Sequence, residues 1–457
     1  MIWNIIYSIN QDESYDIAEI DGRSKTLHIP FNRELEADVL KQDIFTKLKK
    51  QKLRPSALAK DFLHIGLSIY ATDQIVSRSK YGYFNWSRSF IVHVPVSNPN
   101  IWQEYKQTLE EATSFLSGDE WKFEFREIEE VESIIEEITP IKKHDFDKAC
   151  LFSGGMDSFI GASDLLHQRN KLFLVGHHKQ GSKEKPTQEA LFNEFTKKYA
   201  NKIDKFLFYV QPKRRKSKQP LSKGGSENTS RARSFLFIAT GIAVANAIGE
   251  KTPLVVPENG FISLNIPLTS SRLGSLSTRT THPYFIHKIN ELLANVGIAN
   301  KLENPYQFKT KGQMLEEAKD DQFVTSNLAK TISCAHPDIG RYRKKAGIPH
   351  CGYCTPCIIR IAAISSVLKK QKVESYLVSV MSETPDYKKK SWRDYRAFTL
   401  ALHNYNKEWE AKKLLGLKVL SAGPIPDLEN LDKYIDVYKN GMKEVGDFLG
   451  IKIETER

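Results

Sequence analysis

Short apolar runs alternate with amphipathic stretches along the first 145 residues. Alternating or continuous apolar runs predict strands, and stretches with a helical period predict helices between them. The predicted strands are residues 2–9, 25–29, 89–96 and 121–128, and the predicted helices are residues 35–50, 56–77 and 100–116. An acidic segment then leads to Pro140. This pattern predicts an N-terminal α+β domain over residues 1–145 that serves as an accessory or partner-docking domain.

From residue 146 the pattern changes to strands that alternate regularly with helices. The predicted strands are residues 150–152, 171–176, 206–210, 253–256 and a strand-like piece at 306–308, and the predicted helices are residues 157–168, 186–200, 231–247, 283–294 and 311–319. Such alternation predicts an α/β domain with a doubly wound parallel sheet over residues 146–375, with ligands at the carboxyl ends of the strands. Residues 376–457 are charged and predict a helical C-terminal extension.

A glycine turn joins the first strand of this second domain to its first helix. Its residues are Ser153, Gly154, Gly155, Met156, Asp157 and Ser158. Two glycines let the backbone approach an anion closely, and the helix N-terminus attracts negative charge. The hydroxyls of Ser153 and Ser158 add donors, whereas Asp157 either orients the loop or holds a magnesium ion. The turn therefore predicts a nucleotide phosphate site, although the GxxxxGK[ST] loop is absent.

Four more side chains are candidates for contacts with the nucleotide. His177 ends the second strand, where it contacts adenine or ribose or simply caps the strand. Arg231 and Arg233 precede a long apolar helix, whose dipole disfavours a cation there unless an anion such as the departing pyrophosphate is bound. Lys311 starts another predicted helix and offers a point charge to a phosphate or carboxylate.

A polar loop at residues 258–282 begins with Glu258, Asn259 and Gly260. It follows the predicted strand 253–256, so its first residues lie at the edge of the sheet where the glycine turn lies. A polar loop of this length inside a compact domain is uncommon unless it binds a ligand. Its alternative role is an exposed excursion of the chain.

Four of the five cysteines fall within the module 334–357: Cys334, Cys351, Cys354 and Cys357. Their spacing, C-x16-C-x2-C-x2-C, supplies four thiolates for one tetrahedral zinc ion. Four sulfur ligands leave no open coordination position, which favours a structural zinc over a catalytic one. A redox or sulfur-carrier pair and an iron–sulfur cluster are the alternatives. Cys150, within the first strand, is expected to be a core thiol.

The net charge is +12, and two basic clusters, at residues 213–223 and 341–345, carry much of it. The first cluster is either a solvated loop or a lid over phosphates, and such clusters permit nucleic-acid binding without requiring it. The chain begins with a predicted strand and has no apolar run long enough to cross a bilayer, so we expect a cytoplasmic protein that does not enter membranes.

The glycine turn resembles the pyrophosphatase loop of PP-loop (HUP-type) enzymes, which cleave ATP between the α- and β-phosphates. Together with the cysteine module it resembles the QueC family of 7-cyano-7-deazaguanine synthases. The matching segments are residues 153–158, Thr310-Lys311, Ser333-Cys334, the string CGYCTPC at 351–357, and Arg360. The resemblance covers residues 149–368, about half of the chain.

The resemblance implies ATP, Mg²⁺ and Zn²⁺ as cofactors and an ATP-dependent carbon–nitrogen ligase. ATP would adenylate the carboxylate of 7-carboxy-7-deazaguanine, and an amine would displace AMP. In this picture Asp157, Ser158, Arg231 and Lys311 are catalytic, while the rest of the glycine turn, His177 and Arg233 bind the nucleotide. The additional flanking regions resemble the enlarged QueC-like proteins of bacterial anti-phage operons, above all the Qat system, and imply a companion protein of the QatB type as acceptor.

Three other functions are consistent with the same residues. The enzyme could make the free nitrile 7-cyano-7-deazaguanine for nucleoside or tRNA modification. It could be a PP-loop tRNA thiolase, a reading that needs at least one cysteine free of metal. It could also be a non-catalytic nucleotide-binding scaffold.

Overall fold

The protein is described from a computed structural model. The residues it describes are 1–9, 14–30, 40–128, 144–179, 181–212, 227, 229–269, 279–339, 347–369, 374–381, 386, 388–408 and 412–453.

Two sheets and a set of helices make up the described chain. The strands are β1 (Ile2–Ser8), β2 (Ser24–Pro30), β3 (Leu40–Gln42), β4 (Ser89–Val96), β5 (Glu120–Glu127), β6 (Lys148–Leu151), β7 (Leu172–His178), β8 (Ile203–Pro212), β9 (Leu254–Val255) and β10 (Leu302–Glu303). The α-helices are α1 (Ile44–Lys50), α2 (Ala57–Ile75), α3 (Arg78–Tyr81), α4 (Pro99–Glu104), α5 (Lys106–Ser117), α6 (Met156–His167), α7 (Glu184–Lys198), α8 (Arg233–Ile248), α9 (Gly260–Leu264), α10 (Pro283–Asn295), α11 (Lys311–Glu316), α12 (Asp321–Asn327), α13 (Thr355–Leu368), α14 (Arg393–Glu408), α15 (Lys412–Leu420) and α16 (Leu431–Leu449). Short 3₁₀ helices lie at Leu328–Lys330, Lys390–Trp392 and Leu428–Asn430.

The first sheet has the strand order β2-β1-β4-β5, and every neighbouring pair is parallel. Parallel pairing differs from the α+β arrangement that the sequence pattern favours. The reason lies in burial: β1 is buried at five consecutive positions and β4 at its last five, so both faces of these strands are covered. Strands covered on both faces are typical of parallel sheets with helices packed against them.

The second sheet has the order β10-β9-β6-β7-β8-β3. Its five parallel strands, numbered by their place in this part of the chain, run 3-2-1-4-5, which is the order of a doubly wound sheet. The chain order reverses between β6 and β9, and ligands of such sheets bind in the crevice at that point. Residues 153–158 follow β6 directly, so the glycine turn lies at this crevice.

Two predicted elements are wrong in detail. The helix predicted over residues 35–50 begins only at Ile44, because Leu40–Gln42 pair antiparallel with β8 and close that edge of the sheet. Residues 306–308 form a turn instead of a strand, and the fifth parallel strand is β10. A strand of two residues carries too short a pattern to be recognised from sequence.

One hydrophobic core extends across both sheets. Trp3 and Val92 of the first sheet belong to the same buried cluster as Phe173 and Phe206 of the second. Helix α2 packs against α8, and a Cβ atom added at Gly66 would lie 2.6 Å from the Cβ of Ala239, so this close approach requires glycine. The division of the chain at residue 145 stays a prediction, and the structure shows that both sides of it share a core.

The C-terminal region contains helices α14, α15 and α16, in line with the predicted helical extension. These helices share a second buried cluster with the cysteine module, in which Phe398, Tyr434 and Met442 accompany Cys351 and Cys357. Among the described residues, no helix has both the length and the apolar character needed to cross a membrane.

Candidate functional site

The glycine turn is held in its shape by its own hydroxyls. Gly154 has a φ of +81°, a conformation that favours glycine, and its carbonyl accepts a hydrogen bond of 2.9 Å from the backbone N–H of Ile332. The Ser158 hydroxyl donates to the Gly155 carbonyl at 3.0 Å and lies 3.2 Å from the Ser153 hydroxyl. The turn therefore presents two adjacent hydroxyls at the carboxyl end of β6.

Helix α6 begins immediately after Gly155, and no side chain caps it through a hydrogen bond from the N-cap position. One amide of its first turn, that of Met156, donates to the Ser333 hydroxyl at 3.2 Å. An α-helix of this length carries partial positive charge at its N-terminus and favours anions there. The structure confirms the strand–turn–helix junction, while phosphate binding at this junction stays a prediction.

Asp157 is the best-connected polar group of the turn. Its side chain is 5% exposed and forms an ion pair with Lys311. The side-chain amide of Asn259 donates to it at 2.7 Å, and the backbone N–H of Asn259 donates at 3.3 Å. Burial acts to raise the pKa of Asp157, but the charge of Lys311 and the hydrogen bonds outweigh it and hold the pKa below its ordinary value. Asp157 is therefore an anchored carboxylate.

Glu258 adds a second carboxyl group beside Asp157. Burial and the charge of Asp157 raise the pKa of Glu258 well above its ordinary value. Two neighbouring carboxyls that share a site ionise in separate steps, so Asp157 ionises first and Glu258 keeps its proton to a higher pH. The sequence places Glu258 and Asn259 after a predicted strand, at the same edge of the sheet as the glycine turn. Their contact with Asp157 joins residues about 100 positions apart and is visible only in the structure.

Two of the predicted nucleotide contacts, His177 and Arg233, lie close to each other. His177 lies at the end of β7, where its Nε2 donates to the carbonyl of Val210 at 3.0 Å and its ring lies 4.7 Å from that of Phe237. Burial and nearby cations, Arg233 first among them, lower the pKa of His177 to about 3, so its ring is neutral. Arg233 stacks on Phe237, with its Cζ atom 5.2 Å from the ring centroid. His177 therefore lies near the carboxyl end of β7 with Arg233 close to it, and nucleotide binding by either residue stays a prediction.

Arg231 has different surroundings. Its guanidinium donates to the carbonyl of Ser117 at 3.1 Å and stacks 3.8 Å from the ring centroid of Trp86. The N–H of Ala232, at the start of α8, donates a hydrogen bond of 3.1 Å to the Asp73 carboxylate. Asp73 therefore supplies negative charge at the positive end of this helix, where the sequence suggested a bound anion. The described contacts of Arg231 are with the N-terminal region, and none of them joins it to the glycine turn.

The four cysteines of the module lie together, with their sulfur atoms all within 4.8 Å of one another. The pairs Cys334–Cys354 and Cys351–Cys357 are each separated by 3.9 Å between sulfurs. A tetrahedral zinc with Zn–S bonds of about 2.3 Å places its sulfurs about 3.8 Å apart. This donor set could hold a metal ion such as zinc, and all four sulfurs would be needed to complete a tetrahedron.

The backbone around the cysteines supports this arrangement. Gly352 has a φ of +84°, and a Cβ atom there would lie 2.0 Å from the carbonyl oxygen of Val378. The Cys334 sulfur accepts hydrogen bonds from the N–H groups of His336 at 3.3 Å and Cys351 at 3.4 Å. Hydrogen bonds from the other three thiols lower the pKa of Cys334, so its thiolate is the most readily formed.

Arg360 connects the cysteine module to the glycine turn. Its side chain is fully buried and donates two hydrogen bonds of 2.7 Å to Glu374, one from Nε and one from a terminal nitrogen. It also donates to the Ser333 hydroxyl at 3.2 Å, and that hydroxyl accepts the N–H of Met156. Ile332 and Ser333, just before Cys334, therefore contact the glycine turn at two points, and Arg360 holds Ser333 in place.

The basic clusters at 213–223 and 341–345 lie outside the described residues, as do residues 270–278 of the predicted polar loop. Within the described chain, the structure brings together the glycine turn, Asp157, Glu258, Asn259 and Lys311. No protein-family model matches the chain, and no curated protein matches it. The residues of the site and their geometry therefore carry the functional argument.

Proposed function

We propose that this chain is a QueC-like PP-loop ligase that uses ATP to adenylate the carboxylate of 7-carboxy-7-deazaguanine and transfers the acyl group to an amine. The observation that carries the proposal is the position of the SGGMDS turn. It lies at the switch point of a 3-2-1-4-5 sheet, with an anchored aspartate and a buried lysine at its side.

The phosphates of ATP would lie on the glycine turn. The Ser153 hydroxyl and the amides of Asp157 and Ser158 in the first turn of α6 offer donors, and Arg233 is a cation close to His177 at the end of β7. Asp157 and Glu258 offer oxygen ligands for the magnesium that accompanies ATP, since a divalent cation can replace the proton that the two carboxyls share. That ion would supply charge to stabilise the departing pyrophosphate.

The reaction has two steps. A carboxylate oxygen of the substrate attacks the α-phosphorus of ATP, the bond to the bridging oxygen of pyrophosphate breaks, and an acyl adenylate forms. The amine then attacks the acyl carbon, loses a proton and expels AMP. Both leaving groups are anions, and fixed cations and helix dipoles stabilise such developing charge most effectively in a buried site. Lys311 is the cation closest to the turn among the described contacts.

The four cysteines support a structural role for a metal ion bound to them. With four sulfur ligands no coordination position is open to substrate, and the remaining cysteine, Cys150, is fully buried in the sheet. A thiolase would need a reactive cysteine free of metal, so this arrangement favours the ligase.

The choice of the acid and of the acceptor rests on the family resemblance. The joint occurrence of SGGMDS, Thr310-Lys311, Ser333-Cys334, CGYCTPC and Arg360 supports a deazaguanine carboxylate. The flanking regions resemble those of enlarged QueC-like proteins in anti-phage operons, and this resemblance alone is the ground for proposing a companion protein as the acceptor.

The test uses ATP labelled at the α-phosphate, with magnesium and 7-carboxy-7-deazaguanine, and separates nucleotide products by chromatography. We expect AMP and pyrophosphate only when the acid is present, and a loss of about 100-fold or more in Asp157→Asn. The matched control is Asp164→Asn on the same helix, whose carboxylate contacts Tyr306 and Lys319. Production of ADP and phosphate, or AMP formation independent of the acid, would contradict the proposal.

The acceptor is tested separately by intact-mass measurement of companion proteins co-expressed with the wild-type chain and with Asp157→Asn. A deazaguanine-sized mass increase that depends on Asp157 supports transfer to protein. AMP formation with no mass change on any companion protein would indicate synthesis of a small-molecule amide or nitrile instead.

A further inference from the structure

Helix α16, in the C-terminal region, packs on both segments that supply the partners of Asp157. On the first segment, a Cβ atom added at Gly441 of α16 would lie 2.4 Å from the ring of Phe261, two residues after Asn259. On the second, the rings of Tyr434 and Phe308 have centroids 4.9 Å apart, and Phe308 precedes Lys311 by three residues. Helix α16 therefore packs against both segments whose side chains contact Asp157, the one at Asn259 and the one at Lys311.

Glu444 on α16 forms the most specific of these contacts. Its carboxyl accepts a hydrogen bond from the Thr310 hydroxyl and another of 3.3 Å from the N–H of Gly312. These two residues flank Lys311. A Cβ atom at Gly312 would lie 2.4 Å from a Glu444 carboxyl oxygen, so a larger residue at this position would displace the carboxyl group. The Glu444 carboxyl thus accepts hydrogen bonds from the residues on both sides of Lys311, the lysine that pairs with Asp157.

We infer that Glu444 is a positioning residue for Lys311, so that the C-terminal region completes the reaction centre of the proposed ligase. The inference rests on the proposed function for the reaction that it affects. Glu444 itself does not touch Asp157 in the described contacts; it acts by fixing where the backbone of Lys311 lies.

The electrostatic surroundings agree with this arrangement. Burial raises the pKa of Glu444 to about 7, against the lowering influence of Thr310, Gly312 and Lys311. The charged groups that act on it from α11 are Lys311, which favours the ionised form, and Glu316, which opposes it. Lys311 therefore lies in the field of three carboxyl groups, those of Asp157, Glu258 and Glu444.

Steady-state AMP formation in Glu444→Ala tests the inference, with kcat and the KM for ATP determined separately. Misplacing a reacting group by about 1 Å can cost about 100-fold in rate, so we expect kcat to fall by about 10- to 100-fold. The KM for ATP should change by less than about threefold, because the phosphate cradle on α6 is not altered. Glu444→Gln retains a carbonyl acceptor for Thr310 and should recover most of the lost kcat.

Asp436→Asn provides the matched control, since Asp436 lies on the same helix, is largely exposed and, among the described contacts, forms an ion pair with Lys439. Its kcat should equal that of wild type. Should Glu444→Ala fail to fold, Gly312→Ala disturbs the same contact from the other side and leaves Glu444 in place. A folded Glu444→Ala or Gly312→Ala protein with wild-type kcat would overturn the inference. Absence of AMP formation in the wild type would instead refute the proposed function.

Discussion

Replacing Arg360 by methionine removes the cation that connects the cysteine module to the glycine turn. Arg360 is fully buried, and its guanidinium donates to Glu374, Thr331, Ser333 and the carbonyl of Leu328. Methionine fills much of the volume of the side chain but donates no hydrogen bond. The substitution therefore leaves the Glu374 carboxylate buried without its countercharge.

The expected cost follows from that unpaired carboxylate. Removing one partner of a buried ion pair typically destabilises a protein by about 3–5 kcal/mol. Replacing both charges is much less costly, because no charge then remains in the interior. Glu374→Gln is the suitable second change, since glutamine still offers an acceptor to the Tyr376 hydroxyl, which donates to Glu374 in this structure. We expect Arg360→Met/Glu374→Gln to be more stable than Arg360→Met by about 1–3 kcal/mol.

The assay is urea unfolding of the zinc-loaded protein at pH 7, followed by tryptophan fluorescence, for the wild type, both single variants and the double variant. Zinc content measured on the same samples separates loss of the ion pair from loss of the metal. A cost below about 1 kcal/mol for Arg360→Met would refute the reasoning. So would a double variant no more stable than Arg360→Met.

Three further predictions address the metal, the turn and the pH dependence. Cys354→Ser should lower bound zinc well below one ion per chain because the tetrahedron loses a ligand, whereas Cys150→Ala, in the sheet, should leave the zinc content unchanged. Gly154→Ala should weaken ATP binding about tenfold or more at unchanged zinc content. The φ of +81° at this position costs an L-residue about 1–2 kcal/mol, and the new Cβ atom would lie 3.1 Å from Thr187. Wild-type affinity for ATP would contradict this prediction. Burial raises the pKa of Glu444 from 4.5 to about 7. The contribution of this shift to stability is therefore present below about pH 4.5 and is lost as the pH rises through about 7. Glu444→Gln should remove this part of the decline in Tm with pH, and an unchanged Tm–pH profile would count against the prediction.

The glycine turn and the cysteine module could be predicted from the sequence because their signals are local. Two glycines between an apolar run and an amphipathic stretch indicate a strand–turn–helix junction, and the short spacing of Cys351, Cys354 and Cys357 indicates one metal site. Most strands of both sheets also lie where continuous or alternating apolar residues predict them.

The contacts that define the site could not be predicted, because they join distant segments. Asn259 and Lys311 reach Asp157 across 102 and 154 residues, and Glu444 reaches Thr310 across 134. Arg231 is a case in which the position in the sequence and the contacts in the structure point to different roles, and its part in catalysis stays a prediction. Its position at a helix start suggested an anion, but the anion is supplied within the fold by Asp73, and the guanidinium turns to Trp86.

The central claim is that the glycine turn holds ATP while a substrate carboxylate attacks its α-phosphate. Its most direct test is a single-turnover reaction with 7-carboxy-7-deazaguanine labelled with ¹⁸O in its carboxylate, followed by mass measurement of the nucleotide product. The account predicts AMP that carries one ¹⁸O atom, because the attacking carboxylate oxygen leaves with the phosphate when the amine displaces it. Unlabelled AMP, or ADP as the product, would contradict the account.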